Sequence, residues 1–158
     1  MTDMVQNTID LLEADVNTNL RRPFFYGDPI AIPAGRLPTI AVELTGSDID
    51  EGPTGHDSHL DTITIKVIVD KRRDLEKGPA KVLAHQALVD FVKGVDSDGN
   101  LKTDSVVGVL RKQLSLDRTA LDQLMAIEYS VIKREDLITE EAWISFSVET
   151  IVEVSDRS

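Results

Sequence analysis

One stretch constrains the fold more than any other. In LDTITIKVIVD, residues 60–70, Ile63, Ile65, Val67 and Val69 alternate with Thr62, Thr64 and Lys66. A period of two puts successive side chains on opposite faces, so this is a strand with one buried side. TIAVELT, residues 39–45, repeats the pattern more briefly with Ile40, Val42 and Leu44. Two such strands separated by the polar run 46–59 predict an antiparallel hairpin with a long projecting loop, since that run shows no apolar period.

The start of the chain has a different period. Val5, Ile9, Leu12, Val16 and Leu20 fall on one face of a helix. Asp3, followed by Gln6 three residues on, fits a capping box. Residues 21–39 hold four of the six prolines, at 23, 29, 33 and 38. Long helix is excluded there, and Ile30–Ile32 is read as a short edge strand. A second helix is expected over 79–93, opened by Pro79 and stopped at Gly94, and a short third over about 104–113 capped by Asp104, with a strand as the rival reading of that piece. DSDGN at 96–100 is a turn. The last third reads as a hairpin, with strands over 124–132 and 142–154 joined by a charged loop, 133–141. Together these pieces give an α+β fold over residues 1–158, a single domain. It has a mainly antiparallel sheet of about four or five strands, two main helices on one face, and long hairpin loops.

Composition closes off other classes. At 158 residues and 41% hydrophobic, the chain is long and apolar enough for its own core. With no cysteine, disulfides and thiolate chemistry are excluded. No apolar run is long enough for a membrane span. Asp3, Asp10, Glu13 and Asp15 within the first twenty residues argue against a secretory leader there. The charge is −11, from 17 Lys+Arg against 28 Asp+Glu. Gripping nucleic acid needs clustered cations, so a sequence-reading DNA binder is not expected.

No phosphate-binding glycine loop or hydrolase motif occurs, and no catalytic or cofactor-binding residue is marked out. His56 and His59, with Asp48, Asp50 and Glu51 nearby, suggest a metal-binding module as an alternative. A metal site needs a third well-placed ligand, so no metal is assigned. Asp96, Asp98 and Asn100 resemble the opening of a calcium loop but have the glycine misplaced. Glu140 and Glu141 are read as solvated loop carboxylates or interface charges. Phe24, Phe25, Tyr26 and Trp143 are the bulky residues least explained by core periodicity, which makes them candidate interface anchors, although at least one of Phe24, Phe25 and Tyr26 is expected in the core and Trp143 reads equally as covered by a helix or loop of this chain. Asp48, Asp50, Glu51, Arg134 and Glu140 are the charged candidates beside them.

The order of pieces carries a resemblance. An N-terminal helix is followed by a proline-rich aromatic crossing, LPTIAVELTG, a polar segment, DTITIKVIVD, a helix, and a closing hairpin IEYSVIKREDLITEEAWISFSVE. This order, over about residues 3–153, resembles the tail terminator proteins of long-tailed bacteriophages and related neck proteins. The resemblance implies a structural virion protein without enzymatic activity, assembled in the host cytoplasm. It implies a ring, expected to be a hexamer, at the head-proximal end of the tail. Its partners would be the tail tube protein below and the head–tail connector above, with DNA passing unbound through the channel. A connector or other neck protein is the near alternative. An adaptor that binds peptide along a sheet edge, near 30–32, is a more distant one.

Overall fold

A computed structural model of the chain describes residues 3–52, 55–72, 74, 83–116, 126–135 and 137–153. Helix α1 spans Met4–Asp15, and Asp3 caps it by accepting the N–H groups of Val5 and Gln6 at 3.1 Å each. The capping box is only half made, because Gln6 turns its amide to Asp10, at 2.8 Å, instead of back to the cap. Val16 and Leu20 lie beyond the helix yet stay buried with Val5, Ile9 and Leu12. Arg22 holds that exit in place. Its guanidinium donates to the carbonyls of Glu13, in the last turn of the helix, and of Val16, Asn17 and Leu20 just beyond it.

Among the described residues the sheet has five strands: β1 (Phe25–Tyr26), β2 (Thr39–Glu51), β3 (His56–Asp70), β4 (Ala126–Arg134) and β5 (Leu137–Glu153). Their spatial order is β1-β2-β3-β5-β4. Only the two-residue β1 runs parallel to its neighbour; the other pairs are antiparallel. The expected edge strand at 30–32 is absent, and the chain's short strand is Phe25–Tyr26. Ile32 instead packs inward as a core residue.

The two expected long loops are corrected as well. Residues 46–51 and 56–62 are strand, paired from Gly46↔Thr62 to Glu51↔Asp57, with a bulge between Leu44 and Gly46. β5 pairs alongside as far as His56↔Glu153. The polar run is therefore a three-stranded arm that extends past the core, and Gly55, at φ 78, stands in the turn at its tip. Likewise 137–141 is strand. Only residues 135–136 join β4 to β5, with Glu135 in the left-handed region at φ 48.

Helices α2 (Leu83–Lys93) and α3 (Val106–Leu116) join α1 on one face of the sheet. Pro79, Met125 and Val154, expected in the second helix and the last two strands, lie outside the described residues. Ser105, not Asp104, caps α3: its hydroxyl accepts the Gly108 N–H at 3.0 Å. Ile40, Val42, Ile63, Ile65, Val67, Ala142 and Ile144 face the helices and are fully buried. The proline-rich crossing covers part of the other face, where Ile32, Leu37, Ala41, Ile68 and Leu137 form a second, smaller core.

As the middle strand of the arm, β3 should show slow amide exchange from Ser58 to Thr62, because both its neighbours supply acceptors. Hydrogen exchange read by mass spectrometry checks this, and rapid exchange there would mean the arm is a loop in solution.

Candidate interaction surface

The face of the sheet away from the helices carries a buried charge network. Glu141 on β5 is fully buried. Arg134, at the end of β4, forks onto it, with Nε to Oε2 at 2.6 Å and Nη2 to Oε1 at 2.9 Å. Thr139 Oγ1 and Trp143 Nε1 donate to the same carboxylate, at 2.7 and 3.0 Å. Arg134 also donates to the Pro29 carbonyl and to Asp28. Burial pushes the Glu141 carboxyl up, but the hydrogen bonds from Arg134, Thr139 and Trp143 outweigh it and leave the pKa below its ordinary value. Lys66, buried on β3, bridges Asp28 at 3.2 Å and Glu43 at 2.9 Å. Its ammonium sits 4.4 Å from the centre of the Trp143 ring.

A second cluster ties α2 to the helix-facing side of β5. Glu140 accepts from Lys71 Nζ at 2.9 Å and lies 2.7 Å from His85 Nδ1. Lys71 also reaches Asp74, whose other oxygen accepts the Ala84 N–H near the start of α2. The His85 ring meets Tyr129 edge-on at 5.7 Å, and the buried Tyr129 hydroxyl has no hydrogen-bond partner among the described residues. Burial raises the pKa of that phenol.

These contacts relocate several sequence candidates. Arg134 and Glu140 are internal ion-pair partners, not surface charges, and Glu140 and Glu141 face opposite sides of one strand. Phe24 is buried in the main core with the Arg22 guanidinium over its ring. Phe25 is half-buried under Arg36. Trp143 is half-buried, with its N–H and its ring face both occupied from within the chain. Tyr26 alone among the aromatic candidates is well exposed, at 60%, and its hydroxyl donates to Asp3.

Asp48, Asp50 and Glu51 are exposed on the arm. Asp57, Asp61, Glu149 and Glu153 share its three strands, and no Lys or Arg occurs from residue 37 to residue 65 or from 142 to 153. Ile49 and Leu60 stand exposed among these carboxylates. His56 and His59 are also on the arm, three apart on a strand, which sends their imidazoles to opposite faces. They do not converge, and among the described residues no group of three potential ligands is placed to hold a metal ion. At 96–100, Asp96 uses its carboxylate on the N–H groups of Asp98 and Asn100, closing a turn.

At the root of the arm lies a groove of about 660 Å³. Buried Val5 and Ile63 line it together with exposed Tyr26 and Leu44. Asp3, Glu43 and Asp61 add three carboxylates. Of these residues only Tyr26 is an interface candidate from sequence, and the groove itself left no sequence signal because its lining comes from four separate segments. No helix among the described residues is long and apolar enough to cross a membrane. Compared with known protein families and with curated proteins, the chain matches none.

Glu141→Gln removes the only charge that forks onto buried Arg134, and it should cost about 3–5 kcal/mol in urea unfolding. Arg134→Met with Glu141→Leu, which removes both charges, should restore most of that loss. Because the folded pKa of Glu141 is depressed, its stabilisation is complete above its ordinary value of 4.5 and fades as pH falls through the lower folded value. Unfolding curves across that acid range should therefore fall more steeply for the native protein than for Glu141→Gln.

Proposed function

We propose that this chain is a structural virion protein, the terminator of a long bacteriophage tail. In this reading it closes a ring, a hexamer, on the head-proximal end of the tail tube, halts tube growth and presents a surface to the head connector. It works as an assembly part and catalyses no reaction. DNA passes through the channel without being held.

The observation that carries the reading is the open sheet with two unlike ends. One end is β2, bordered by the two-residue β1 and running on into the acidic arm, and the other is β4, where Val131 is exposed. Unlike ends suit head-to-tail contacts, which close into rings when the rotation between subunits allows. The order of elements supports the same reading. So does the acidity, because a channel lined with carboxylates repels a phosphate backbone. Within this reading contact falls to Tyr26, Asp48, Asp50 and Glu51. Phe24, Arg134, Glu140 and Trp143 serve the subunit itself.

Native mass spectrometry over a concentration series, with negative-stain imaging of the same samples, tests the ring. A hexamer that grows in with concentration and shows a central channel is expected. A closed two-fold dimer, or a monomer that stays monomeric even when mixed with tail tubes, overturns the proposal. Trp143→Ala should lower the melting temperature while leaving the assembled mass unchanged.

A further inference from the structure

We propose that the groove at the root of the arm and the adjoining edge of β2 form a docking site for an extended cationic segment of another protein, which adds to the sheet as a strand. This rests on the groove, the edge and the local charge, and it does not use the tail reading.

The edge comes first. β1 pairs with β2 only at Ala41 and Val42. Gly27, at φ 85, then turns the chain away after donating its N–H to the Val42 carbonyl at 2.7 Å. Among the described residues no strand pairs with β2 beyond that point. The outward carbonyl of Val42 fixes the alternation, so the N–H and C=O of Leu44 also point away from β3. A backbone edge of this kind is a template for an added strand.

The groove opens at that edge. Its volume of about 660 Å³ is within the range of small-ligand sites, about 300–1,000 Å³. Leu44, 51% exposed, and Tyr26 offer apolar and aromatic surface there above buried Ile63 and Val5. This suits the aliphatic stem of a long side chain.

Charge selects the occupant. Asp3 spends its oxygens on the helix-end N–H groups and the Tyr26 hydroxyl, and Asp61 accepts from the Ser47 hydroxyl at 2.7 Å. These donors are neutral, so both carboxylates keep an uncancelled negative charge. Glu43 is already paired with Lys66. Asp48 and Asp50 extend the negative field along the same strand. Two β2 edges from two copies would set like charges together, which disfavours a symmetric pairing of two copies through this edge. A strand bearing Lys or Arg at alternate positions has the complementary sign and the matching period.

The test uses the full chain labelled with nitrogen-15 and a short blocked peptide of alternating lysine and valine. Two control peptides are run beside it, one with glutamate for lysine and one with proline at its centre, which keeps the charge but breaks strand pairing. The lysine–valine peptide should shift the amide signals of Tyr26, Gly27, Glu43, Leu44 and Asp61. The glutamate peptide should not bind, and the proline peptide should bind at least about tenfold more weakly. Leu44→Lys, a change at an exposed position, should weaken the lysine–valine peptide about tenfold with the fold intact by its other signals. Equal binding of the proline peptide, shifts centred on β4, or no shift at all would overturn the proposal. So would concentration-dependent shifts at the same residues without peptide, which would make a second copy the occupant.

Discussion

Arg134 and Glu141 are the pair on which one whole side of the molecule is built. Taking either charge out of water costs several kcal/mol, and their attraction offsets this only when every donor and acceptor is used. That condition is nearly met here. Glu141 receives the arginine fork, a threonine hydroxyl and the indole N–H, and two more of the arginine's five N–H groups go to Pro29 and Asp28. Each bond fixes a different part. The fork spans the two-residue turn between β4 and β5. The contacts at 28 and 29 hold the proline-rich crossing against the sheet. The indole bond turns Trp143 so that its face receives Lys66, and Lys66 in turn reaches Glu43 on β2. The carboxylate thereby links four strands and the crossing with few apolar atoms involved.

How far the sequence was legible follows from what periodicity measures. It reports which faces are buried. It read 39–45 and 60–70 as strands because Ile40, Val42, Ile63, Ile65 and Val67 face a core. It also read α1, and the α+β class with an antiparallel sheet and helices on one face. It missed 46–51 and 56–59 because neither face of the arm has a core beside it, and backbone pairing leaves no trace in side-chain polarity. It missed 137–141 because two of the charges that suggested a loop are paired inside the fold, Glu141 with Arg134 across the β4–β5 hairpin and Glu140 with Lys71 just past the end of β3. Asp48, Asp50, Glu51 and Tyr26 were legible as surface residues. Arg134 and Glu140 were read as surface or interface charges, and Trp143 stood between cover by its own chain and an interface anchor, because sequence shows a charge or a ring but not what is stacked on it. Lys66, set amid isoleucines and valines, was the available sign of a buried ion pair.

The covering of the two sheet faces leaves a particular kind of surface for partners. Among the described residues three helices occupy one face, and the crossing and the charge network occupy much of the other. What those residues leave open is the perimeter: the β2 edge beyond Val42, the arm, and β4. Contacts at a perimeter rely on backbone hydrogen bonds and charge more than on broad apolar burial. The exposed apolar side chains there, Leu44, Ile49, Leu60 and Val131, are scattered singly. A surface of this type favours a partner of defined register over one that merely sticks.

The length of the central strands has a mechanical consequence. β3 runs 15 residues and β5 runs 17, each continuous from the core into the arm. At about 3.3 Å per residue, β3 alone is a beam of roughly 50 Å, clamped at one end. A pull on the arm along its axis loads the β3–β5 ladder in shear, with many hydrogen bonds bearing the force together, while a sideways push at the tip peels them one by one. The arm is therefore stiff along its axis and compliant across it, and its deflections are delivered to the sheet beneath the helices.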